Sequence, residues 1–227
     1  MSLKAVLFDA GNTLLFLDYG RLAPAVGEAT GVALTAEGLR AVAGEAARSL
    51  ERRDGTDRER ASRYLEAIFR LAGVPAAQGE TVRDTLLALH REKHLWGAMD
   101  PRTPAALARL RDAGYRLGVI SNSDGRVVEG LGAVGLVEWF ELIIDSADVG
   151  VEKPDPRIFG IALERLGLAA HEALYVGDLY EVDVLGARAA GLDVILLDPL
   201  GQHAGRDVTV AATVAEVADR LLGAPAA

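Results

Sequence analysis

The chain has 227 residues, a formal net charge of −9 and no cysteine; half of it is hydrophobic and a quarter charged. This composition suits one large or two modest globular domains and excludes collagen, coiled coil and intrinsic disorder. The acidic balance argues against a nucleic-acid-binding surface, and the lack of cysteine removes disulfides, thiolate nucleophiles and Cys-bound zinc.

The first element is the apolar run Ala5-Val-Leu-Phe8, halted at Asp9 and followed by small and hydroxylated residues. A short apolar run closed by turn formers predicts a strand buried on both faces, ending with Asp9 at the C-terminal edge of a sheet. Open α/β sheets collect their ligands at that edge. A carboxylate placed there serves as a nucleophile, a metal ligand or both; equally, an Asp after a strand starts a turn or caps a helix. The run after Lys4 is too short for a signal-peptide core, and no segment has the uncharged length of a membrane span. The expectation is a cytoplasmic protein without a membrane partner.

From Asp18 to Trp96 the spacing becomes helical, as in Leu39-Val42-Ala46-Leu50, Tyr64-Leu65-Ile68-Phe69 and Val82-Leu86-Leu89. Turns are expected at Asp54-Gly-Thr-Asp57 and Gly73-Val-Pro-Ala76. The charged runs Glu51-Arg-Arg-Asp54 and Arg58-Glu-Arg60 read as solvated helix ends and faces. Three or four helices result.

Beyond Asp100 strands and helices alternate. Helices are predicted over 104–113, 125–133, 156–166, 182–190 and 214–222, with strands over 116–121, 141–145, 173–177 and 193–197. Alternation with apolar strands implies parallel pairing, right-handed crossovers and helices on both faces. The fold class is therefore α/β, a Rossmann-like parallel sheet with an inserted all-helical cap. Residues 1–17 and 98–227 make the core, and residues 18–97 make the cap, hung over the strand edge above Asp9.

Each of the first four strand ends of this core carries polar groups. Asp9 follows the first, Ser121-Asn122 the second, Lys153 the third after a short loop, and Asp178 the fourth, with Asp183 at the start of the next helix. Asp9, Asp178 and Asp183 would share a small space, where two unit charges 4 Å apart repel by about 4 kcal/mol at an effective dielectric near 20. Such a cluster calls for a cation, and hard oxygen ligands without Cys or His favour Mg²⁺ over Zn²⁺. Lys153 is either the remaining counter-charge or a solvated loop tip. Ser121 and Asn122 read as N-cap residues, as an anion site at a helix N-terminus, or as both.

The segments Phe8-Asp-Ala-Gly-Asn-Thr-Leu14, Val119-Ile-Ser-Asn-Ser123, Glu152-Lys-Pro-Asp-Pro-Arg-Ile-Phe159, and Tyr175-Val-Gly-Asp178 through Asp183-Val-Leu-Gly-Ala187 occur in this order. Together they resemble the four signatures of the haloacid dehalogenase-like (HAD) hydrolase superfamily, and the helical insert resembles its C1 cap in position and size. The resemblance implies that Asp9 is a nucleophile forming an aspartyl-phosphate intermediate, with Lys153 stabilising nucleophile and phosphoryl group. It implies substrate binding by Ser121, Asn122 and Thr13. It further implies Mg²⁺ held by Asp9, the backbone carbonyl of Gly11, and Asp178, with Asp183 as a ligand or an acid behind one. The expected function is a Mg²⁺-dependent phosphatase acting on a small phosphorylated metabolite; monomer and homodimer both remain open.

One departure from the resemblance is Gly11, where phosphatases of the family carry a second Asp that acts as general acid and base. Its loss commonly costs about 10² to 10⁴ in rate, and Asp18 on the cap linker is one candidate replacement. Halide release, which needs no leaving-group proton, is the alternative reading, as in 2-haloacid dehalogenases, although these do not normally keep the acid at Asp178. A binding or regulatory protein on the same scaffold is the other.

Overall fold

A computed structural model of the chain describes residues 2–47, 57–203 and 205–223. The runs 51–54 and 54–57 named above, and Leu50, lie wholly or mainly outside the described residues. The chain divides into two compact units, one of Met1–Phe16 and Ala98–Ala227, the other of Leu17–Gly97.

The larger unit is built on a six-stranded sheet in which every pairing is parallel. Its strands are β1 (Ala5–Phe8), β4 (Arg116–Ser121), β5 (Leu142–Asp145), β6 (Ala173–Gly177), β7 (Asp193–Leu197) and β8 (Thr209–Ala211), in spatial order β5-β4-β1-β6-β7-β8. The chain first winds outward from β1 through β4 to β5, then returns to β6 and winds the other way. Strand order thus reverses between β1 and β6, and the crevice outside their C-terminal ends is where such a sheet binds ligands. Asp9 and Asp178 follow those two strands directly.

β1 and β6 are buried along their whole length, which is why they read as unbroken apolar runs rather than alternating ones. Phe8 pairs with Val119 on one side and Val176 on the other, and Asp9 extends the ladder by donating its N–H to the Val176 carbonyl at 2.8 Å. The nucleophile candidate therefore sits at the end of a fully buried central strand. Helices α5 (Thr103–Asp112), α6 (Val127–Ala133), α8 (Pro156–Leu166), α9 (Leu185–Ala189) and α10 (Val214–Leu222) connect the strands, with a single turn α7 (Ser146–Val149) after β5. α8 is capped at both ends as its sequence demands: Asp155 accepts from the Arg157 N–H, Pro156 fills the first turn, and Gly167 closes it at φ 63°.

Three local expectations change. β8 is an extra strand, three residues long. The helix expected from Gly125 begins at Val127, since Gly125 takes φ 91°. The helix expected from Val182 is preceded by a π-helical turn, Tyr180–Val184, before α9.

The smaller unit contains α1 (Tyr19–Thr30), α2 (Ala36–Ala47), α3 (Asp57–Leu71) and α4 (Gly79–Glu92). Leu39 and Ala46 of α2, Tyr64, Ile68 and Phe69 of α3, and Val82 and Leu86 of α4 are buried, the stripes that their spacing predicts. Short strands β2 (Phe16–Leu17) and β3 (Trp96–Ala98) pair where the chain passes between the units. Arg21 on α1 holds the C-terminus of α4. Its guanidinium donates to the carbonyls of Leu89, which also accepts from the Lys93 N–H, and of Lys93 (2.8 Å) and His94 (3.2 Å) just past the helix end. Arg21→Ala is expected to destabilise the protein by about 1–3 kcal/mol, read as a lower unfolding midpoint in urea. Arg21→Lys should recover only part of it, because an ammonium cannot fork across three carbonyls.

Candidate active site

After Asp9 the chain folds into a tight loop in which the N–H groups of Leu14 and Leu15 both donate to the Ala10 carbonyl, at 2.9 and 2.8 Å. Asn12 takes φ 53°, the one described non-glycine residue in the left-handed region. Asn tolerates that region better than most residues. From there its side chain draws the Asp178 carboxyl down, against the larger effect of burial.

Lys153 is 2% exposed, and its ammonium has three partners: Asp9 Oδ1 at 2.6 Å, Asp183 Oδ1 at 2.8 Å and Tyr175 Oη at 2.9 Å. Its backbone is clamped by Asn122, whose Oδ1 accepts from the Lys153 N–H at 2.8 Å while its Nδ2 donates to the Lys153 carbonyl at 3.0 Å. Asp183 is turned back by the π-helical turn, with Oδ2 accepting from the Leu179 N–H at 2.9 Å. Gly177 permits this close return: a Cβ there would lie 2.4 Å from the Asp183 Cγ. Gly186 plays the same part on the other side, since its Cβ would lie 2.9 Å from Pro154 backbone atoms.

One carboxylate oxygen each from Asp9, Asp178 and Asp183 lies within 4.8 Å of the others. Burial pushes Asp9 up to about 7; Lys153 pulls it down and Asp183 pushes it up further. Burial, then repulsion from Asp9 and Asp183, holds Asp178 well above the usual carboxylate range. Burial pulls Lys153 down, but Asp183 and Asp9 outweigh it, and the ammonium stays protonated well above its ordinary value. Three carboxylates against one ammonium leave an excess of negative charge in a buried space. An all-oxygen donor set of this kind fits Mg²⁺.

The structure thus brings together Asp9, Lys153, Asp178 and Asp183. Ser121, 4% exposed at the end of β4, has a hydroxyl with no hydrogen bond among the described residues. The side chain of Asn122 is engaged with the backbone of Lys153. Thr13 is 1% exposed, and its hydroxyl too lacks a partner among the described residues. The loop from Ser121 to α6 is held from below by buried Asp145, whose carboxylate accepts from the N–H groups of Gly125, Val127 and Ala147. Asp18 caps α1, accepting from the Arg21 N–H at 3.2 Å. Reading the strand ends missed Asn12 and Tyr175. The first had a signal, a turn position where Asn is favoured; the second, inside an apolar strand, had none.

The family model for haloacid dehalogenase-like hydrolases matches residues 3–191. The chain belongs to the haloacid dehalogenase-like hydrolase family. Among curated HAD proteins it is similar to mouse haloacid dehalogenase-like hydrolase domain-containing protein 3, 39% identical over 130 residues, covering 57% of this chain and 51% of the mouse protein. It is also similar to the phosphoserine phosphatase of Thermus thermophilus, 37% identical over 145 residues, 63% of this chain and 55% of that enzyme. The chain spans about half the length of these curated relatives. A solved HAD phosphatase from Thermococcus onnurineus matches 97% of this chain and 99% of its own, with a TM-score of 0.62 and 26% identity. Among the described residues no helix is long and apolar enough to cross a membrane.

Proposed function

We propose that this HAD hydrolase is a Mg²⁺-dependent phosphatase for a small phosphorylated metabolite, with the helical unit acting as a C1-type cap. The observation that carries the reading is the buried 2.6 Å pair of Asp9 and Lys153 beside Asp178. A buried carboxyl at a strand end, paired with an ammonium that favours its ionised form, is arranged to act as a nucleophile. Asp9 Oδ attacks phosphorus, the bond from phosphorus to the leaving oxygen breaks, and an aspartyl phosphate forms. Water then attacks that phosphorus, releasing inorganic phosphate and restoring Asp9. Lys153 offsets charge on the nucleophile throughout, while Ser121 and Asn122 would bind the non-bridging oxygens. Asp9, Asp178 and the Gly11 carbonyl, with Asp183 beside them, would hold Mg²⁺. Bound there, the ion supplies the positive charge that lets a phosphate dianion approach a carboxylate. Thr13, in the same loop, would add a substrate contact.

Two measurements test this. A panel of phosphorylated metabolites, assayed with and without Mg²⁺, should give phosphate release only with the metal. Halide release from a 2-haloacid in EDTA, without phosphatase activity, would replace the reading with dehalogenation. Independently of turnover, Mg²⁺ at about 100 times its Kd is expected to stabilise the wild type by about 2.7 kcal/mol, raising Tm by several degrees. Asp178→Ala should lose most of that rise. Without metal its Tm should change little, because the carboxyl removed is one that burial, then Asp9 and Asp183, already hold well above the usual carboxylate range. A wild-type Tm indifferent to Mg²⁺ would remove the metal from the proposal.

A further inference from the structure

We infer that Tyr175 is a positioning residue that fixes the direction of the Lys153 ammonium, an inference resting on the proposed role of Asp9 as nucleophile. An ammonium has three N–H donors on a freely turning stem. Here each has one acceptor, and the Tyr175 oxygen at 2.9 Å is the only uncharged one. With all three engaged the rotor has one orientation, and it points a proton at Asp9. A third carboxylate in place of Tyr175 would deepen the negative excess; an apolar residue would leave a buried N–H unpaired.

The phenol is itself held. Its oxygen lies 3.2 Å from the Ile120 carbonyl and 3.2 Å from Asp183 Oδ1, either of which takes its proton and leaves a lone pair for Lys153. Ile120 lies on β4, two strands from β6 and one residue before Ser121. Tyr175 is fully buried, and Phe159 packs edge-on against its ring, with centroids 4.9 Å apart. Lys153 is therefore gripped at its backbone by Asn122 and at its tip by Tyr175.

Tyr175→Phe keeps the ring and deletes only the hydroxyl. With p-nitrophenyl phosphate and saturating Mg²⁺, kcat is expected to fall about ten- to thirtyfold with KM changed less than about twofold. Phe159→Leu supplies the contrast: it disturbs the ring packing and lowers Tm but keeps the hydroxyl, so kcat should stay within about threefold. A folded Tyr175→Phe enzyme with wild-type kcat overturns the inference. The crystal structure of Tyr175→Phe gives a reading independent of turnover. Displacement of the Lys153 Nζ from Asp9 supports the inference, and an Nζ unmoved between Asp9 and Asp183 overturns it. If the wild type hydrolyses no phosphate ester, the phosphatase reading fails on its own, and this structure alone decides the role of Tyr175.

Discussion

Asp9→Asn is expected to lower phosphate-ester turnover by more than about 10⁴-fold while leaving the fold in place. An amide fills the same space at the end of β1 and keeps the Asp9 N–H bond to the Val176 carbonyl, which belongs to the backbone. It cannot attack phosphorus to give an acyl phosphate. Stability should change little, because two effects oppose each other. Lys153 loses one of its carboxylate partners, and breaking a buried ion pair outright costs about 3–5 kcal/mol. Here the pair is not broken outright, since Asp183 at 2.8 Å and Tyr175 at 2.9 Å remain. The variant also removes a carboxylate that burial and Asp183 already push up to about 7. Mass spectrometry after rapid quench should find a phosphorylated peptide containing Asp9 in the wild type and none in the variant. A variant that hydrolyses esters at the wild-type rate would make Asp9 structural and the mechanism wrong.

The parts of this protein that could be read from sequence are those whose cause is local. β1, β4, β6 and β7 are buried strands, so their apolar runs appear without knowledge of their partners. The site could be anticipated because strand ends in a parallel sheet share one edge, which put Asp9, Ser121 and Asp178 on it before any pairing was known. What escaped depends on contacts distant in sequence. β2 and β3 are only two and three residues long and pair across some 80 positions, so no periodicity announces them. β8 has three residues, two of them exposed, and so lacks an apolar signature. Tyr175 was legible as core, but the use of its hydroxyl depends on Lys153, which arrives from another strand end. Asn122 has a second use that its position did not announce: its side chain clamps the backbone of Lys153, thirty-one residues further on. The π-helical turn at Tyr180–Val184 was invisible because it serves Asp183, returning its carboxylate onto the Leu179 N–H.

Gly11→Asp is expected to raise hydrolysis of simple phosphate esters more than about tenfold, and more for alkyl than for aryl leaving groups. The site as proposed has a nucleophile and counter-charges but no carboxyl at position 11 to serve the leaving group. Lys153 is held well above its ordinary range by Asp183 and Asp9, and its three N–H groups are engaged, which makes it an unwilling acid. Asp183 accepts from Lys153 and Leu179, so its oxygens serve to hold the site together. A carboxyl two residues beyond the nucleophile could protonate the leaving oxygen and then activate the water that attacks the aspartyl phosphate. Each role typically contributes about 10² to 10⁴. The backbone allows the exchange. Gly11 is not among the residues with positive φ, a strain that falls on Asn12 instead. It is half-buried, and its carbonyl stays available because only the side chain changes. An alkyl alkoxide cannot leave unprotonated, whereas nitrophenolate can, so the gain with p-nitrophenyl phosphate should be the smaller of the two. If both substrates are unaffected in a folded variant that still responds to Mg²⁺, another residue already supplies the acid. Asp18→Asn is then the informative change. Asn caps a helix as well as Asp does, so α1 keeps its N-cap, and a fall in kcat with an unchanged Tm would assign the proton to Asp18.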